Sequence, residues 1–266
     1  MSYEIKTVQL PEYSMNYFSF GTGEKTMVIL PGLSVQSVMA SAQAIAQAYD
    51  IFANDYTVYV FDRRNELPED YSIHQMAEDT AQVMKFLGLE NICLFGASQG
   101  GIMSLLIASH HPELVKKAVV GSAACRDNYF MKKTVSHWIE VAKKGAAVSL
   151  YLDFGKKIYP QTAFRNFKNA LIQAGKSVTP QELARFVIMA SSMEGLDIRE
   201  DVRNISCPVL ILGSLDDAVL GSVAYRELSD YINGAEVYAY HGFGHAAYDM
   251  APDYKERIYR FFEGEH

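Results

Sequence analysis

Short apolar runs bounded by turn residues recur along the chain. Such runs are typical of strands that are buried on both faces of a parallel sheet. The N-terminal part predicts two further strands, at 3–10 and 13–20, which alternate more moderately or are rich in aromatic residues. The continuous runs are 26–30, 57–61, 92–95, 118–120, 209–212 and 236–240. The pattern therefore predicts a sheet of eight strands.

Helical patterns lie between these strands. The clearest is 73–87, where a stripe of apolar residues at helical spacing ends at Gly88. The other predicted helices are 35–49, 99–111, 222–232 and 252–262. Because strands and helices alternate, we expect an α/β fold with a mainly parallel sheet and helices on both of its faces.

The segment 128–196 breaks this alternation, since it contains no strand pattern and reads as about four helices. One start is well marked, because Thr179, Pro180 and Glu182 stand where an N-cap, the first helical residue and a capping-box acid belong. We interpret 128–196 as a helical cap inserted over one end of the sheet. The core would then consist of 1–127 and 197–266.

Composition narrows the class of protein. Of the 266 residues 49% are hydrophobic, so a sizeable core can form, and the net charge of −7 disfavours nucleic acid and anionic membranes as partners. The three cysteines, Cys93, Cys125 and Cys207, do not suggest a disulfide framework, and no spacing of Cys and His suggests a metal site. Without an apolar signal core at the start or an 18-residue apolar stretch, the expected location is the cytoplasm.

A G-x-S-x-G motif is the strongest chemical signal. Gly96, Ser98 and Gly100 directly follow an apolar strand and directly precede a helical pattern, which is the context of a nucleophile elbow. Small residues allow the sharp turn that exposes the serine hydroxyl at the tip of the strand. The N-terminus of the next helix favours negative charge developing there. Ser98 is therefore the candidate nucleophile.

In this motif and in four others the sequence resembles the α/β-hydrolase family. The resemblance spans about residues 26–263. The matching pieces are Leu30-Pro31-Gly32-Leu33, Phe61-Asp62-Arg63, Gly96-Ala97-Ser98-Gln99-Gly100-Gly101, Gly213-Ser214-Leu215-Asp216 and Gly244-His245. It implies a catalytic triad in the chain order Ser, acid, His.

The resemblance assigns the partners of the serine. Family members usually carry the acid three residues after the glycine that closes the strand, which selects Asp216; Asp217, otherwise a solvated turn residue, and Asp127 are the alternatives. His245 is the expected base because it follows Gly244 as in the family pattern, and His241 at the strand end is the alternative.

The resemblance also predicts an oxyanion hole made by two backbone N–H groups. One should belong to Gln99, directly after the nucleophile, and the other to Leu33, in the loop after the strand at 26–30. The chain departs from the family at Arg63-Arg64-Asn65-Glu66, where relatives are often rich in glycine, and at Leu220-Gly221, where many have proline.

The resulting hypothesis is a serine hydrolase that acts through an acyl-enzyme on a small, apolar, ester-like molecule, with no cofactor and no metal. The same triad could serve an acyltransferase, a C–C bond hydrolase or a cofactor-free perhydrolase, and the scaffold could also be a ligand-binding receptor. The oligomeric state is not predicted. The preference for an apolar substrate rests on residues of the predicted cap: Tyr129, Phe130, Trp138, Tyr151, Phe154, Tyr159, Phe164, Phe167, Phe186, Met189 and Met193.

Overall fold

The computed structural model describes residues 3–265. Met1, Ser2 and His266, at the ends of the two predicted core segments, lie outside the described residues. Eight strands form one sheet in the order β1-β2-β4-β3-β5-β6-β7-β8. Their bounds are β1 Glu4–Gln9, β2 Ser14–Phe20, β3 Lys25–Leu30, β4 Tyr56–Arg64, β5 Ile92–Ala97, β6 Val115–Gly121, β7 Val209–Ser214 and β8 Glu236–Tyr240.

The sheet is mainly parallel. β1 pairs with β2 and β2 with β4 in antiparallel fashion, whereas the five remaining pairings are all parallel. The predicted eight-stranded α/β architecture is thus confirmed. Its carboxyl ends meet along one edge, which is where side chains from distant parts of the chain converge.

Burial follows the apolar runs in the centre of the sheet but not at its margin. All six residues of β5 and all six of β7 are buried, as their continuous apolar sequences predict. β8 differs, because it is the last strand of the sheet and its first three residues are exposed. The run at 236–240 therefore forms an edge strand rather than one buried on both faces.

Helices cover both faces. The α-helices are α1 Ala42–Ala48, α2 Ile73–Phe86, α3 Gln99–His110, α4 Tyr129–Lys143, α5 Ala147–Ile158, α6 Gln161–Ser177, α7 Pro180–Ser191, α8 Arg199–Val202, α9 Ala224–Ser229, α10 Ala247–Met250 and α11 Tyr254–Glu263. One apolar core lies between the sheet and α2, α3, α8 and α9; a second packs α1, α10 and α11 on the opposite face. The predicted helix at 35–49 is shorter than expected, since Ser37 instead caps a 3₁₀ turn at Val38–Ser41 before α1.

Helices α4 to α7 follow one another between β6 and β7, and we call residues 128–196 the four-helix segment. The start of α7 is the predicted capping box: the Glu182 backbone N–H donates to Thr179 Oγ1 at 3.2 Å, and the Thr179 N–H donates to the Glu182 carboxylate at 2.7 Å. The segment continues the larger core, because its buried side chains pack into the cluster that covers α2 and α3. Its status as a separate cap domain stays a prediction.

Helix α7 is fastened to the end of β4 by one arginine. The Arg185 guanidinium donates to the backbone carbonyl oxygens of Arg64 and Asn65 at 2.7 and 2.9 Å, and to that of Arg63 at 3.2 Å. A polar contact of this kind satisfies the last carbonyl groups of a strand and fixes α7 beside the carboxyl edge of the sheet.

No helix among residues 3–265 combines the length and apolar character that a membrane crossing needs.

Candidate active site

Ser98 lies on the sharp turn between β5 and α3. Its backbone adopts φ 54° and ψ −121°, a left-handed conformation that is uncommon for a residue with a side chain. Close packing holds the turn: a Cβ atom added to Gly100 would lie 2.0 Å from the Leu30 carbonyl oxygen. A Cβ atom on Gly32 would come within 3.2 Å of Ser98 Cβ. Glycine at these two positions lets the loop after β3 approach the elbow.

His245 contacts the serine directly. Its Nε2 atom lies 3.0 Å from Ser98 Oγ, and only 3% of the residue is exposed. The His245 carbonyl oxygen accepts a 2.7 Å hydrogen bond from the hydroxyl of buried Ser122, which follows β6 and has a positive φ of 47°. His241 is exposed. The expected Ser98–His245 pair is therefore brought together, and Ser122 holds the backbone of His245.

The carboxylate on His245 belongs to Asp217, not to Asp216 as expected. Asp217 Oδ2 lies 2.8 Å from His245 Nδ1, and the Asp217 side chain is nearly as buried as that of His245. Its second oxygen accepts N–H bonds from Val219 and Leu220, both at 2.8 Å. Asp217 is thus not a solvated turn residue. Counting from Gly213 gave the wrong neighbour because β7 continues through Ser214.

Asp216 orders the histidine loop instead of contacting the ring. Its carboxylate accepts hydrogen bonds from the backbone N–H groups of Gly242 and Gly244, both at 3.1 Å, and from Ser214 Oγ at 3.1 Å. Asp127, the other alternative, accepts the Gly195 N–H at 3.2 Å and closes the base of the four-helix segment. The Asp217 carboxylate therefore binds the His245 ring, and the adjacent Asp216 carboxylate binds the backbone of the loop that carries this ring.

The predicted oxyanion donors belong to chain segments that meet at Ser98. Gln99 is the first residue of α3, where a backbone N–H has no acceptor within its own helix. Leu33 follows Gly32, whose α-carbon faces the Ser98 side chain. This arrangement is compatible with two N–H groups pointing at a developing oxyanion. The assignment of Leu33 and Gln99 remains a proposal.

A buried polar network surrounds the Gln99 side chain. Its amide donates to the Met189 carbonyl oxygen in α7 at 2.7 Å, and its oxygen accepts from Arg63 Nη2 at 3.1 Å. The same Arg63 nitrogen donates to the Pro31 carbonyl oxygen at 2.8 Å. Burial lowers the pKa of the Arg63 guanidinium. Sequence reasoning noted Arg63 only as part of a motif, and no sequence signal pointed to Ser122.

The aromatic residues of the four-helix segment are used mainly between helices. The rings of Trp138 and Phe154 stack at 4.0 Å between centroids, and Phe154 meets Phe186 edge-on at 5.6 Å. Tyr129 and Phe130 are exposed at the surface. Several of the side chains named as candidate pocket residues therefore join α4, α5 and α7 to one another.

No group of three or more His, Cys, Asp or Glu side chains within residues 3–265 is arranged to hold a metal ion. The arrangement that is present can move a proton. A hydroxyl, an imidazole and a carboxylate form a hydrogen-bonded row, which is the geometry that activates a serine by an adjacent base and orients that base by an acid.

Comparisons with known proteins identify the family and the fold. The profile of the alpha/beta hydrolase fold family matches residues 25–252. A protein of Caulobacter sp. (strain K31) named "Putative carbamate hydrolase RutD" is 23% identical over 220 residues, covering 79% of this chain and 82% of the relative.

Two solved structures share the fold. MGS-M2, an alpha/beta hydrolase enzyme from a Medee basin deep-sea metagenome library, superposes with a TM-score of 0.86 at 22% identity and covers 98% of both chains. The enol-lactonase from Burkholderia xenovorans LB400 gives a TM-score of 0.82 at 16% identity, covering 97% of this chain and 100% of its own.

Proposed function

Since the chain belongs to the alpha/beta hydrolase fold family, we propose that it is a serine hydrolase in which Ser98 is the nucleophile, His245 the general base and Asp217 the residue that orients the base. One observation carries the proposal. The distances of 3.0 Å from Ser98 Oγ to His245 Nε2 and of 2.8 Å from His245 Nδ1 to Asp217 Oδ2 place the three groups in one hydrogen-bonded row.

The chemistry proceeds in two halves. Ser98 Oγ attacks the carbonyl carbon while its proton passes to His245 Nε2, and the carbonyl oxygen becomes an oxyanion facing the proposed N–H donors of Leu33 and Gln99. Collapse breaks the bond to the leaving group, which takes the proton from His245, and leaves an acyl group on Ser98. Water then gives one proton to His245 and attacks the acyl carbon. The bond from that carbon to Ser98 Oγ breaks, His245 returns the proton to Oγ, and the acid is released.

Asp217 has two tasks in this scheme. Its carboxylate accepts a hydrogen bond from the Nδ1–H group and so keeps the ring proton on Nδ1, which leaves Nε2 free to accept the proton of Ser98. It also offsets the positive charge that His245 gains, in a place where burial makes an unpaired imidazolium costly. We assign Asp217 rather than Asp216 as the carboxylate of the triad, because only Asp217 contacts the imidazole ring.

The proposed substrate is a small, apolar, ester-like molecule, and the four-helix segment is proposed to be the cap that encloses it. The support is that α7 lies beside the elbow, since the Gln99 side chain donates to the Met189 carbonyl oxygen. Rates with p-nitrophenyl esters from acetate to palmitate test the substrate class. We expect the highest kcat/KM at short chain lengths; no hydrolysis at any length would contradict an esterase.

Activity-based labelling tests the nucleophile and separates an enzyme from a binding receptor. We expect a fluorophosphonate to modify Ser98 and expect Ser98→Ala to abolish the modification. Ser109→Ala is the matched control, because Ser109 lies on the same helix and donates to the Asp201 carbonyl oxygen away from His245. Absence of labelling in folded wild-type protein would favour the receptor.

A carbamate is the second candidate substrate, supported by the name of the Caulobacter relative. The same attack on the carbamate carbonyl carbon would break the bond to the alcohol oxygen, release the alcohol with the proton from His245, and leave a carbamoyl group on Ser98. Comparing p-nitrophenyl acetate with a p-nitrophenyl carbamate distinguishes the two. A burst of p-nitrophenol followed by slow turnover would show that the carbamate modifies Ser98 but is hydrolysed poorly. Steady turnover of the carbamate above the ester rate would identify a carbamate hydrolase.

A further inference from the structure

We propose that Arg63 is a positioning residue that holds the two loops of the oxyanion hole in place. The inference rests on the proposed function, because the loops matter only if an oxyanion forms at Ser98. Arg63 would not touch the substrate; it would act through the backbone segments on which Leu33 and Gln99 are carried.

The contacts of one guanidinium nitrogen carry the inference. Arg63 Nη2 donates to the Pro31 carbonyl oxygen at 2.8 Å and to Gln99 Oε1 at 3.1 Å. Pro31 stands two residues before Leu33, and Gln99 directly follows the nucleophile. The two predicted donors lie on separate parts of the chain, and this nitrogen connects both parts.

The opposite side of Gln99 is held as well. The Gln99 amide donates to the Met189 carbonyl oxygen at 2.7 Å and to Ser192 Oγ at 3.3 Å. Its side chain is therefore fixed at both ends, between Arg63 and the C-terminal turn of α7. A donor that is fixed before the reaction needs no reorganisation when the negative charge develops, which is the property that makes an oxyanion hole effective.

The charge of Arg63 is buried, and no carboxylate within residues 3–265 forms an ion pair with its guanidinium. Arg63 is 3% exposed, and its Nε atom has no hydrogen-bond partner within the described residues. The neighbouring Asp62 carboxylate is used by other groups. It accepts hydrogen bonds from the Arg63 backbone N–H at 2.7 Å and from the Ser37 hydroxyl, and it lies 3.7 Å from the Arg185 guanidinium. Arginine keeps its proton even when buried, so a positive charge remains beneath the oxyanion loops.

This burial is costly for the fold. A buried donor left unpaired costs stability, and so does a buried charge that lacks an ion-pair partner. The cost is consistent with a functional requirement for the contacts that Nη2 makes.

The test compares Arg63→Lys and Arg63→Met with Arg64→Lys. Arg64 is a matched control, since it is the next residue of β4 but binds Asp79 at 3.4 Å and stacks on Tyr13. The assays are kcat and KM for p-nitrophenyl acetate, the inhibition constant of an alkyl boronic acid, and the thermal midpoint. Boron bound to Ser98 presents an anionic oxygen to the donors, so it reports on the oxyanion hole rather than on general folding.

In Arg63→Met we expect kcat to fall about 10²-fold with KM changed less than about threefold, as for loss of one oxyanion donor. Boronic acid inhibition should weaken in proportion to kcat. Arg63→Lys should retain part of both, because an ammonium supplies the charge but not the planar pair of donors. Arg64→Lys should match wild type in kcat and in boronic acid inhibition.

Three results would overturn the inference while leaving the nucleophile assignment intact. They are an Arg63→Lys enzyme with wild-type kcat and boronic acid affinity, a fall in kcat with unchanged boronic acid affinity, and equal losses in Arg64→Lys. If Arg63→Met does not fold, Gln99→Met removes one of the two acceptors and should show the same parallel loss. Wild-type protein that fluorophosphonate does not label at Ser98 would instead overturn the proposed function, and this inference with it.

Discussion

Replacing Asp217 by asparagine tests the acid assignment most sharply. In wild type, Asp217 Oδ1 accepts the N–H groups of Val219 and Leu220 at 2.8 Å each, and Oδ2 accepts from His245 Nδ1 at 2.8 Å. An asparagine has one oxygen and one NH₂ group. The two backbone donors will hold the amide oxygen on their side, so the NH₂ group must face the imidazole.

The magnitude follows from the tautomer that this NH₂ group selects. It donates to Nδ1, which moves the ring proton to Nε2, and Nε2 then can no longer accept the Ser98 proton across the 3.0 Å contact. In a serine protease, replacing the aspartate of the catalytic triad by asparagine lowers kcat by about 10⁴-fold. We therefore expect Asp217→Asn to lose roughly 10³- to 10⁴-fold in kcat with little change in KM.

Asp216→Asn is the matched control. Its carboxylate accepts from Gly242 and Gly244 rather than from the ring, so asparagine loses one loop contact and leaves the tautomer unchanged. We expect a loss of less than about tenfold in kcat and a stability cost of about 1–3 kcal/mol, the penalty for an unsatisfied polar contact.

The assay is the initial rate with p-nitrophenyl acetate, with circular dichroism to confirm folding and chemical denaturation to measure stability. An Asp217→Asn enzyme within tenfold of wild type, beside an Asp216→Asn enzyme reduced 10³-fold, would refute the reasoning and return the acid role to Asp216.

Three other outcomes are expected. His245→Ala should lose about 10³-fold or more in turnover and His241→Ala much less, since only His245 contacts the serine; equal losses would contradict the choice of base. Burial raises the pKa of the Cys125 thiol to about 11, so iodoacetamide at pH 8 should modify half-buried Cys207 first, as peptide mass spectrometry would detect; equal rates in native protein would contradict the burial. Arg185→Met removes two hydrogen bonds to the end of β4 and one to Asn65 just after it, and should lower the unfolding free energy by ~2 kcal/mol and the thermal midpoint by ~5 °C in calorimetry. An unchanged midpoint would show that α7 is held by other contacts.

The strand pattern and the nucleophile could be predicted from the sequence because both are local. A continuous apolar run identifies a central strand, and G-x-S-x-G between such a run and a helix identifies the elbow at Ser98. The prediction for β8 was wrong in its burial, because a sequence does not state which strand lies at the edge of a sheet.

The choice between Asp216 and Asp217 depended on a single residue of strand length. β7 ends at Ser214, and the Leu215 N–H still bonds the Tyr240 carbonyl oxygen at 2.9 Å, so the turn begins one residue later than the glycine suggests. The contacts of Arg63, Ser122 and Gln99 are all long-range, and nothing in the neighbouring sequence specifies them.

The end of α5 reaches the loop that carries His245. The Ala246 N–H donates to the Ile158 carbonyl oxygen at 3.0 Å, and a Cβ atom on Gly244 would lie 2.8 Å from that same oxygen. The residues on either side of His245 thus both approach the last residue of α5, a helix of the four-helix segment. Exchanging residues 128–196 for those of another hydrolase would also replace the Ile158 carbonyl that binds beside His245, so a chimera would have to reproduce that contact to keep the imidazole in place.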